Sequence, residues 1–395
     1  MTPNAPSRPS SLLLMIAGAK GAIGSTLAVA AEALHDNPAP ILSSMTTAHR
    51  FPWLGAPEKI CVAGWDPSHE SMARSAEVQG VLPPHILSAF ADRLAFLPVI
   101  HPPALPDLES QTARLMEDIA AFRDAHPGAA PVLVNLLPSG RQPDPEDCTA
   151  FEGLCRAYHP ETCPDLAYGL AAVRSGVPVV NFTPNIIETD AIVEEAVAHG
   201  VPLSGRDGKT GQTYFKVVLA SALKARRLFV DGWYSLNILG NADGRNLMDP
   251  DRARGKLSNK TQLLDDILGY PVGERYGAPA HKVHIDYYPP RGDAKEAWDV
   301  IDFEGMFGMP MSLRLNLQGR DSILAAPMVL DLARWMATLK LAGRSGLVPE
   351  LGFFYKKPMG DSPPIAFQDQ LQALSALREA CETAIGHLPD GKETP

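Results

Sequence analysis

The feature that most constrains the fold of this chain is a short apolar run that leads directly into three evenly spaced glycines. Residues 12–17 read LLLMIA, Gly18, Gly21 and Gly24 follow, and an alanine-rich stretch continues through Leu34. A buried strand, a glycine turn and a helix start in this order are typical of a nucleotide-binding βα unit, because backbone N–H groups and the helix dipole face a pyrophosphate. The spacing is G-x-x-G-x-x-G rather than G-x-G-x-x-G, so a plain tight turn is the alternative interpretation.

Further short apolar runs recur at intervals that suit parallel strands separated by helices. They are 60–63, 131–137 and 177–182, and each ends in polar or turn residues. In an open parallel sheet, ligands gather at the carboxyl ends of the strands. We therefore predict that polar residues just beyond these runs line a dinucleotide site. They are Asp66, Asn135, Ser139, Asn181 and Thr183.

Asp66 is the natural candidate for the ribose hydroxyls of a dinucleotide. It stands well beyond the customary separation of about 20 residues from the glycine turn. A turn or helix-capping role for this aspartate is therefore an equal alternative.

After Tyr214 the pattern changes from continuous apolar runs to alternation. Residues 283–288 and 311–318 alternate apolar and polar side chains, and residues 298–303 are a third candidate strand. Alternation of this kind is typical of half-buried strands in an antiparallel or mixed sheet, with one apolar and one polar face. The sequence therefore predicts a second sheet that is unlike the parallel first one.

Length and pattern together predict two structural units. Single cores stop growing near roughly 250 to 300 residues, and this chain has 395. We predict an α/β fold with a Rossmann-like doubly wound parallel sheet, formed by 11–213 with 325–390. An inserted α+β domain with an open mixed or antiparallel sheet would comprise 214–324. A long amphipathic helix over 321–341, capped by its first residue and interrupted at Pro327, would return the chain to the first unit.

Composition excludes several classes of function. The formal charge of -10, from 35 Lys plus Arg against 45 Asp plus Glu, disfavours a general polyanion binder such as a nucleic-acid-binding protein. The 5 cysteines form no C-x-x-C pair, so neither a disulfide framework nor a tetrahedral zinc site is encoded. With no apolar run of about 18 residues and a poor signal-peptide pattern, we expect a cytoplasmic protein without a membrane partner or a resident metal.

A second candidate anion site occupies residues 204–213, which read SGRDGKTGQT and lead into an apolar helix. Small residues and hydroxyls at a helix start offer backbone donors, the hydroxyls of Thr210 and Thr213, and the Gln212 amide to an anion. The stretch is not G-x-x-x-x-G-K-[ST], so hydrolysis of a nucleoside triphosphate has no support. A capped helix start without a ligand is the alternative interpretation.

Amides, acids and lysines then recur in motif-like surroundings. Residues 237–246 read NILGNADGRN, which by itself could be a surface turn. Four lysines follow, and each taken alone is typical of a solvated surface charge. They are Lys256 and Lys260 at a spacing of i, i+4, Lys295 just after Asp293, and Lys356 after an aromatic run. Because all four lysines lie beside motif-like stretches, we interpret them as parts of a functional site.

Together these stretches resemble the myo-inositol-phosphate synthase family over nearly the whole chain. The stretches that carry the resemblance are 18–24, 64–66, 207–213, 237–246, 256–260 with 265–267, 292–295, 321–327 and 353–356. Each one singly is moderate or weak evidence, but their order along the chain is highly specific. The glycine turn without asparagines, Ala242 and Arg206 depart from the family pattern, as in shorter, divergent prokaryotic-type members.

The resemblance implies an NAD-dependent isomerase that cyclises D-glucose 6-phosphate to an inositol monophosphate. Its steps would be C5 oxidation, enolisation, intramolecular C6–C1 aldol closure and re-reduction. It also implies a homotetramer with dimer pairs formed through the second sheet. Alternatives are a related cyclase acting on another hexose phosphate, an NAD-dependent sugar-phosphate dehydrogenase, and a catalytically silent nucleotide-binding regulator.

The family pattern also assigns roles to residues of this sequence. The catalytic set is Lys256, Lys260, Lys295, Lys356, Asp207, Asn237, Asn241, Asp243 and Asp293. The phosphate set is Thr210, Gly211, Gln212, Thr213 and Lys260. The NAD set, with the strand-end residues above, is Gly18, Ala19, Lys20, Gly21, Ala22, Ile23, Gly24, Asp66, Asn135, Ser139, Thr183, Asp207, Asp321 and Ser322. We expect Lys256 and Lys295 to flank the C5 oxygen. Lys356 would serve the C1 oxygen and Lys260 the phosphate, because positioned ammonium groups stabilise developing oxyanions in a water-poor pocket.

Overall fold

The computed structural model describes residues 8–240, 244 and 263–386. In chain order its strands are β1 (Ser11–Ala17), β2 (Ile60–Trp65), β3 (Val99–Ile100), β4 (Ala129–Asn135), β5 (Val179–Asn181), β6 (Pro202–Gly205), β7 (Phe229–Leu239), β8 (His281–Tyr287), β9 (Ala294–Glu304), β10 (Pro310–Arg320) and β11 (Gly346–Leu347). Its helices are α1 (Ala22–Asp36), α2 (Ala39–Leu42), α3 (Met72–Gln79), α4 (Pro84–Leu94), α5 (Leu108–Ala125), α6 (Phe151–Ala157), α7 (Asp165–Arg174), α8 (Asp190–Ala198), α9 (Gln212–Ala225), α10 (Asp321–Leu341) and α11 (Phe367–Gly386).

The first sheet is the doubly wound parallel sheet that the sequence predicts. Its strand order is β3-β2-β1-β4-β5-β6-β11, and every pairing is parallel. Along β1, Leu12 and Leu14 pack into one hydrophobic core, and Leu13 and Met15 pack into another on the opposite face. Because helices cover both faces, the strand appears in the sequence as a continuous apolar run.

The second sheet has the order β10-β9-β7-β8. It is mixed, since β7 and β8 run parallel and β9 is antiparallel to both of its neighbours. Val230, Trp233 and Ile301 on its inner face pack against α9 and the helical residues 263–268. The predicted fold class is therefore confirmed. The division into 11–213 with 325–390 and 214–324 stays a prediction.

Helix α10 differs from its prediction in two respects. It continues through Pro327 and is buried on almost every side, so it is a core helix rather than an amphipathic one. This burial outweighs the loss of the single hydrogen bond that a proline removes. Its N-cap is Arg320, and the Asp321 side chain bonds outside the helix instead of capping it. Among the described residues α10 is the one helix long and apolar enough to span a membrane, and 78% of its most apolar stretch is buried inside the fold.

Candidate functional site

The glycine turn after β1 leaves backbone N–H groups available to bind an anion. Gly18 adopts φ +84, and a Cβ there would lie 2.9 Å from the Leu136 carbonyl oxygen. A Cβ at Gly24 would lie 2.4 Å from the carbonyl oxygen of Ala19, so only glycine allows α1 to start this close to the strand. Helix α1 begins after Gly21, and no side chain of the described residues caps it. Its first N–H groups are therefore the donor set that a pyrophosphate requires.

Asp66 connects the end of β2 to this turn. Its Oδ2 accepts a hydrogen bond from the Lys20 backbone N–H at 2.8 Å, and its Oδ1 accepts one from Ser68 N–H at 2.9 Å. The Lys20 ammonium in turn donates to the Ser68 carbonyl oxygen at 2.7 Å. These contacts support the turn-forming alternative. A carboxylate has about four acceptor positions, so a ribose hydroxyl would share oxygens that already hold the backbone.

A buried network of neutral amides follows β4 and β5. Asn135 Nδ2 donates to Asp165 Oδ1 at 2.6 Å and to Asn181 Oδ1 at 3.1 Å, and the Thr183 hydroxyl donates to Asn181 Oδ1 at 2.9 Å. Asn185 Nδ2 donates to the same Asp165 oxygen at 2.9 Å. Burial raises the pKa of Asp165, against the lowering effect of these hydrogen bonds.

The sequence indicated part of this network. It placed Asn135, Asn181 and Thr183 at strand ends but gave no signal for Asp165, which enters from the start of α7. Ser139, also predicted for the cofactor site, lies half-buried in the connection after β4.

The second candidate anion site is the start of α9. Gly211 is the N-cap, and within the described ranges no side chain caps this helix. The Thr210 hydroxyl donates to Asp321 Oδ1 at 3.1 Å. The amide nitrogen of Gln212, which we expected to face the anion, instead donates to Asp299 Oδ2 at 2.8 Å. The backbone N–H groups at the helix start remain as anion donors, and Thr213, whose hydroxyl was also predicted to face the anion, is buried beside them.

Two of the predicted lysines meet carboxylates beside this helix start. Lys295 Nζ lies 3.2 Å from Asp321 Oδ2, and Lys356 Nζ lies 2.7 Å from Asp207 Oδ1. Burial raises the pKa of Asp321, but the charges of Lys295 and Lys356 and the hydrogen bonds from Lys295 and Thr210 outweigh it, so the pKa is lowered overall. The carboxyl group is therefore ionised at neutral pH and stabilises both ammonium charges.

Backbone pairing brings these residues together from distant segments. Residues 206–209 run antiparallel to residues 354–357, with hydrogen bonds from Lys356 N–H to the Asp207 carbonyl and from Lys209 N–H to the Phe354 carbonyl. Asp207 adopts φ 60 in this ribbon. In the second sheet, Lys295 on β9 pairs with Gly319 on β10, two residues before Asp321. The β9–β10 hairpin therefore places Lys295 close to Asp321.

The structure also describes three other predicted residues, Ser322, Asp293 and Asn237. The Ser322 hydroxyl donates to Asp293 Oδ1 at 3.2 Å. Asn237 on β7 is 0% exposed, and neither its Nδ2 nor its Oδ1 has a hydrogen-bond partner among the residues that the structure describes. Four further predicted residues lie outside the described residues. They are Asn241, Asp243, Lys256 and Lys260.

Sequence reasoning missed a polar cluster under α9. Asp299 on β9 accepts hydrogen bonds from Trp233 Nε1 at 2.8 Å and from the Ser235 hydroxyl at 2.5 Å, besides that from Gln212. Lys216 Nζ lies 2.7 Å from His281 Nε2 and donates to Ser235 Oγ at 3.1 Å. Burial lowers the pKa of Lys216 to about 8, against the opposite effect of Asp299. The available signal was the alternation along β9, which places Asp299 on the same inward face as Lys295.

No group of three or more His, Cys, Asp or Glu side chains in the described part of the chain is arranged to hold a metal ion. The carboxylates of the site instead contact ammonium groups, hydroxyls and an indole N–H.

Sequence comparisons relate this site to known proteins. Residues 211–322 match the family described as myo-inositol-1-phosphate synthase. An inositol-3-phosphate synthase from Bacteroides thetaiotaomicron is 46% identical over 202 residues, which cover 50% of this chain and 47% of that protein. One from Spirodela polyrhiza is 29% identical over 305 residues, which cover 70% of this chain and 59% of that protein. The chain thus spans about half the length of the curated relatives it matches.

Solved structures share the fold. An inositol-3-phosphate synthase from Caenorhabditis elegans superposes with a TM-score of 0.80 at 20% identity, covering 98% of this chain and 88% of that one. A myo-inositol-1-phosphate synthase-related protein from Thermotoga maritima superposes with a TM-score of 0.72 at 21% identity, covering 96% and 99%. At these identities the likeness establishes the fold alone.

Proposed function

We propose that this chain, whose residues 211–322 match the myo-inositol-1-phosphate synthase family, is an inositol-3-phosphate synthase that uses NAD to cyclise D-glucose 6-phosphate. The observation that carries the proposal is the convergence of Lys295, Lys356, Asp207 and Asp321 beside the uncapped start of α9. An uncapped helix start suits a phosphate, and paired ammonium groups suit a reaction in which two oxyanions develop in turn.

The glycine turn is where NAD would bind. Its pyrophosphate would meet the first N–H groups of α1, and Asp66 and the amides after β4 would lie along the rest of the dinucleotide. When bound, NAD would supply the reversible oxidation at C5 of the substrate. The observation that supports dinucleotide binding here is the close approach of other backbone atoms to Gly18 and Gly24. This approach leaves the start of α1 accessible to an anion.

The chain's own residues would perform the remaining work. The backbone N–H groups after Gly211 would hold the substrate phosphate, together with Lys260 as predicted from the sequence. Lys295 would donate to the C5 oxygen and Lys356 to the C1 oxygen, because their ammonium groups stabilise negative charge there without reorganising. Asp321 and Asp207 would keep those ammonium groups oriented.

Asn237 would recognise sugar hydroxyls. Its amide is buried and lacks a partner among the described residues. Each buried polar group left without a hydrogen bond costs about 1–3 kcal/mol. A substrate hydroxyl placed against β7 would recover that free energy on binding.

We further propose that the chain forms the homotetramer expected from its sequence, with the second sheet at a subunit interface. Tyr234 and Trp298 on its outer face are 45% and 46% exposed, and Met306 and Phe307 at the β9–β10 turn are 78% and 88% exposed. Apolar surface of this kind is typical of a surface that a partner covers. Light scattering should give about four times the chain mass of 42.4 kDa. A cytoplasmic location stays a prediction.

The deciding experiment supplies the purified protein with NAD+ and glucose 6-phosphate and follows products by NMR and cofactor by absorbance. We expect an inositol monophosphate to form while NADH absorbance stays flat, because the cofactor is re-oxidised within each turnover. A steady rise of NADH with an open-chain oxidised product would establish a dehydrogenase instead. Turnover of a different hexose phosphate in the same assay would reassign the substrate.

A further inference from the structure

Lys209 is a buried lysine to which the proposed reaction assigns no role. Lys209 is 2% exposed, and its Nζ donates to the Gly352 carbonyl oxygen at 3.2 Å and to Gln370 Oε1 at 3.1 Å. The ring of Phe353 lies 6.0 Å from the ammonium. No carboxylate in the described ranges forms an ion pair with it.

Folding stability alone does not explain why a lysine occupies this buried position. Burying a charge that only neutral acceptors contact costs folding free energy. Burial accordingly lowers the pKa of Lys209 to about 7. A methionine has nearly the same length and would fill the same space without that cost. A methionine could not donate to Gly352 or Gln370, so these two hydrogen bonds point to a role other than filling the core.

The position of Lys209 connects three segments of the site. Its backbone N–H donates to the Phe354 carbonyl oxygen at 2.8 Å, within the ribbon that carries Lys356. Its ammonium reaches the turn Pro349–Phe354 and the first turn of α11. The next residue along the chain is Thr210, which contacts Asp321. One side chain thus joins the loop at α9 to the segment that presents Lys356.

We propose that Lys209 is a positioning residue of the anion site. Its ammonium pins residues 349–356 against the loop 207–213, so that the Lys356–Asp207 and Thr210–Asp321 contacts form together. This inference rests on the proposed function, in which Lys356 and the α9 start face the same substrate. A methionine would fill the space but would hold neither Gly352 nor Gln370, and Lys356 would lose its fixed placement.

The test compares Lys209→Met with Lys224→Met. Lys224 serves as the control for losing a lysine hydrogen bond near α9, because it is exposed, lies on the last turn of α9 away from the site, and donates to one backbone carbonyl, that of Ile267, at 2.6 Å. For Lys209→Met we expect kcat for glucose 6-phosphate to fall about 10- to 100-fold, since small misplacements of catalytic groups have effects of this size. We expect KM to change little and Lys224→Met to behave as the unmodified protein.

A second pair of variants separates positioning from general packing. Gln370→Glu keeps the acceptor for Lys209 but loses the hydrogen bonds that Gln370 Nε2 donates to the Pro364 and Ile365 carbonyl oxygens, so it should lose less kcat than Gln370→Met. Gln370→Met removes that acceptor and should lower kcat in the same direction as Lys209→Met, by a smaller factor. A loss that follows only the loss of folded protein, or an equal loss in both Gln370 variants, would overturn the positioning role.

A readout without turnover keeps this inference apart from the proposed function. Hydrogen exchange at the Lys356 and Lys357 amides, which bond to Asp207 and Arg206, should be at least about tenfold faster in Lys209→Met than in Lys224→Met, a loss of about 1.4 kcal/mol of protection. Unchanged exchange would refute the inference even if the protein cyclises glucose 6-phosphate. Faster exchange in a protein that does not cyclise it would sustain the inference and reject the proposed function.

Discussion

Two regions of the molecule hold lysine side chains away from bulk water, and they treat the ammonium charge differently. At the rim of the site, Lys295 and Lys356 each contact a carboxylate, at 3.2 and 2.7 Å. Under and beside α9, Lys209 and Lys216 contact carbonyl, amide, hydroxyl and imidazole groups instead. The rim lysines are partly accessible, whereas both interior lysines are almost fully buried.

The difference separates lysines suited to stabilise substrate charge from lysines suited to hold structure. A carboxylate at hydrogen-bond distance favours the charged amine and orients it. Burial without such a carboxylate contact lowers the pKa, to about 7 for Lys209 and about 8 for Lys216. The rim pairs are therefore the stronger candidates for oxyanion stabilisation, and the interior lysines are suited to fixing α9 and its loop.

The largest effect should come from removing a rim ammonium. We expect Lys295→Met to lower kcat by about 10²- to 10³-fold, because one positioned group that stabilises an oxyanion contributes that much. The protein should remain folded, since the side chain is at the edge of the site. Initial rates of inositol phosphate formation, measured alongside circular dichroism, provide the measurement.

The matched control is Lys282→Met on β8, an exposed lysine of the same sheet. It should retain full activity. If Lys282→Met and Lys295→Met lose activity equally, the total charge of the sheet determines activity, and the Lys295–Asp321 pair has no specific role in catalysis.

Removing the rim carboxylate should have a smaller and partly opposite effect. Asp321→Asn keeps an acceptor for Thr210 but removes the negative charge beside Lys295. We expect kcat to fall about tenfold because Lys295 loses its orientation. Binding of inorganic phosphate, measured by calorimetry, should become tighter because a like charge has left the anion site. Weaker phosphate binding would show that Asp321 organises the anion site instead of opposing it.

The residues of the rim pairs were all named from the sequence, and their roles stay predictions. The family resemblance assigned Lys295, Lys356 and Asp207 to the catalytic set and Asp321 to the NAD set, and the structure places these residues in two contacting pairs. The parallel sheet was equally accessible, because strands buried on both faces leave continuous apolar runs. The sheet prediction rests on local apolar patterns, whereas the roles of the rim residues rest on the family resemblance.

The interior contacts could not be predicted in that way. Asp299 alternates along a strand like any polar residue, and Asp165 starts a helix like many acidic residues. Their roles depend on which distant side chains pack against them, such as Gln212 and Asn135. The same holds for α10, which was expected to be amphipathic and is covered on nearly all sides. Tertiary neighbours decide these features, and the local sequence does not encode them.

The smallest expected effect, and the one most specific to the interior lysines, is the pH dependence of stability. The folded-state pKa of Lys216, about 8, lies below its ordinary value of 10.5. Between these values the unfolded chain binds a proton that the folded protein has released, so the free energy of unfolding rises with pH. Below pH 8 both states hold the proton, and this contribution to the pH dependence disappears.

Replacing Lys216 by Met removes the titrating group. Over pH 8 to 10, the free energy of unfolding of the unmodified protein should rise relative to Lys216→Met by about 1.4 kcal/mol per pH unit. Lys209 is present in both proteins, so its own titration cancels in the difference. Urea unfolding at several pH values measures this difference. Parallel stability curves would mean that the buried amine titrates as it does in water, and the contrast between interior and rim lysines would no longer hold.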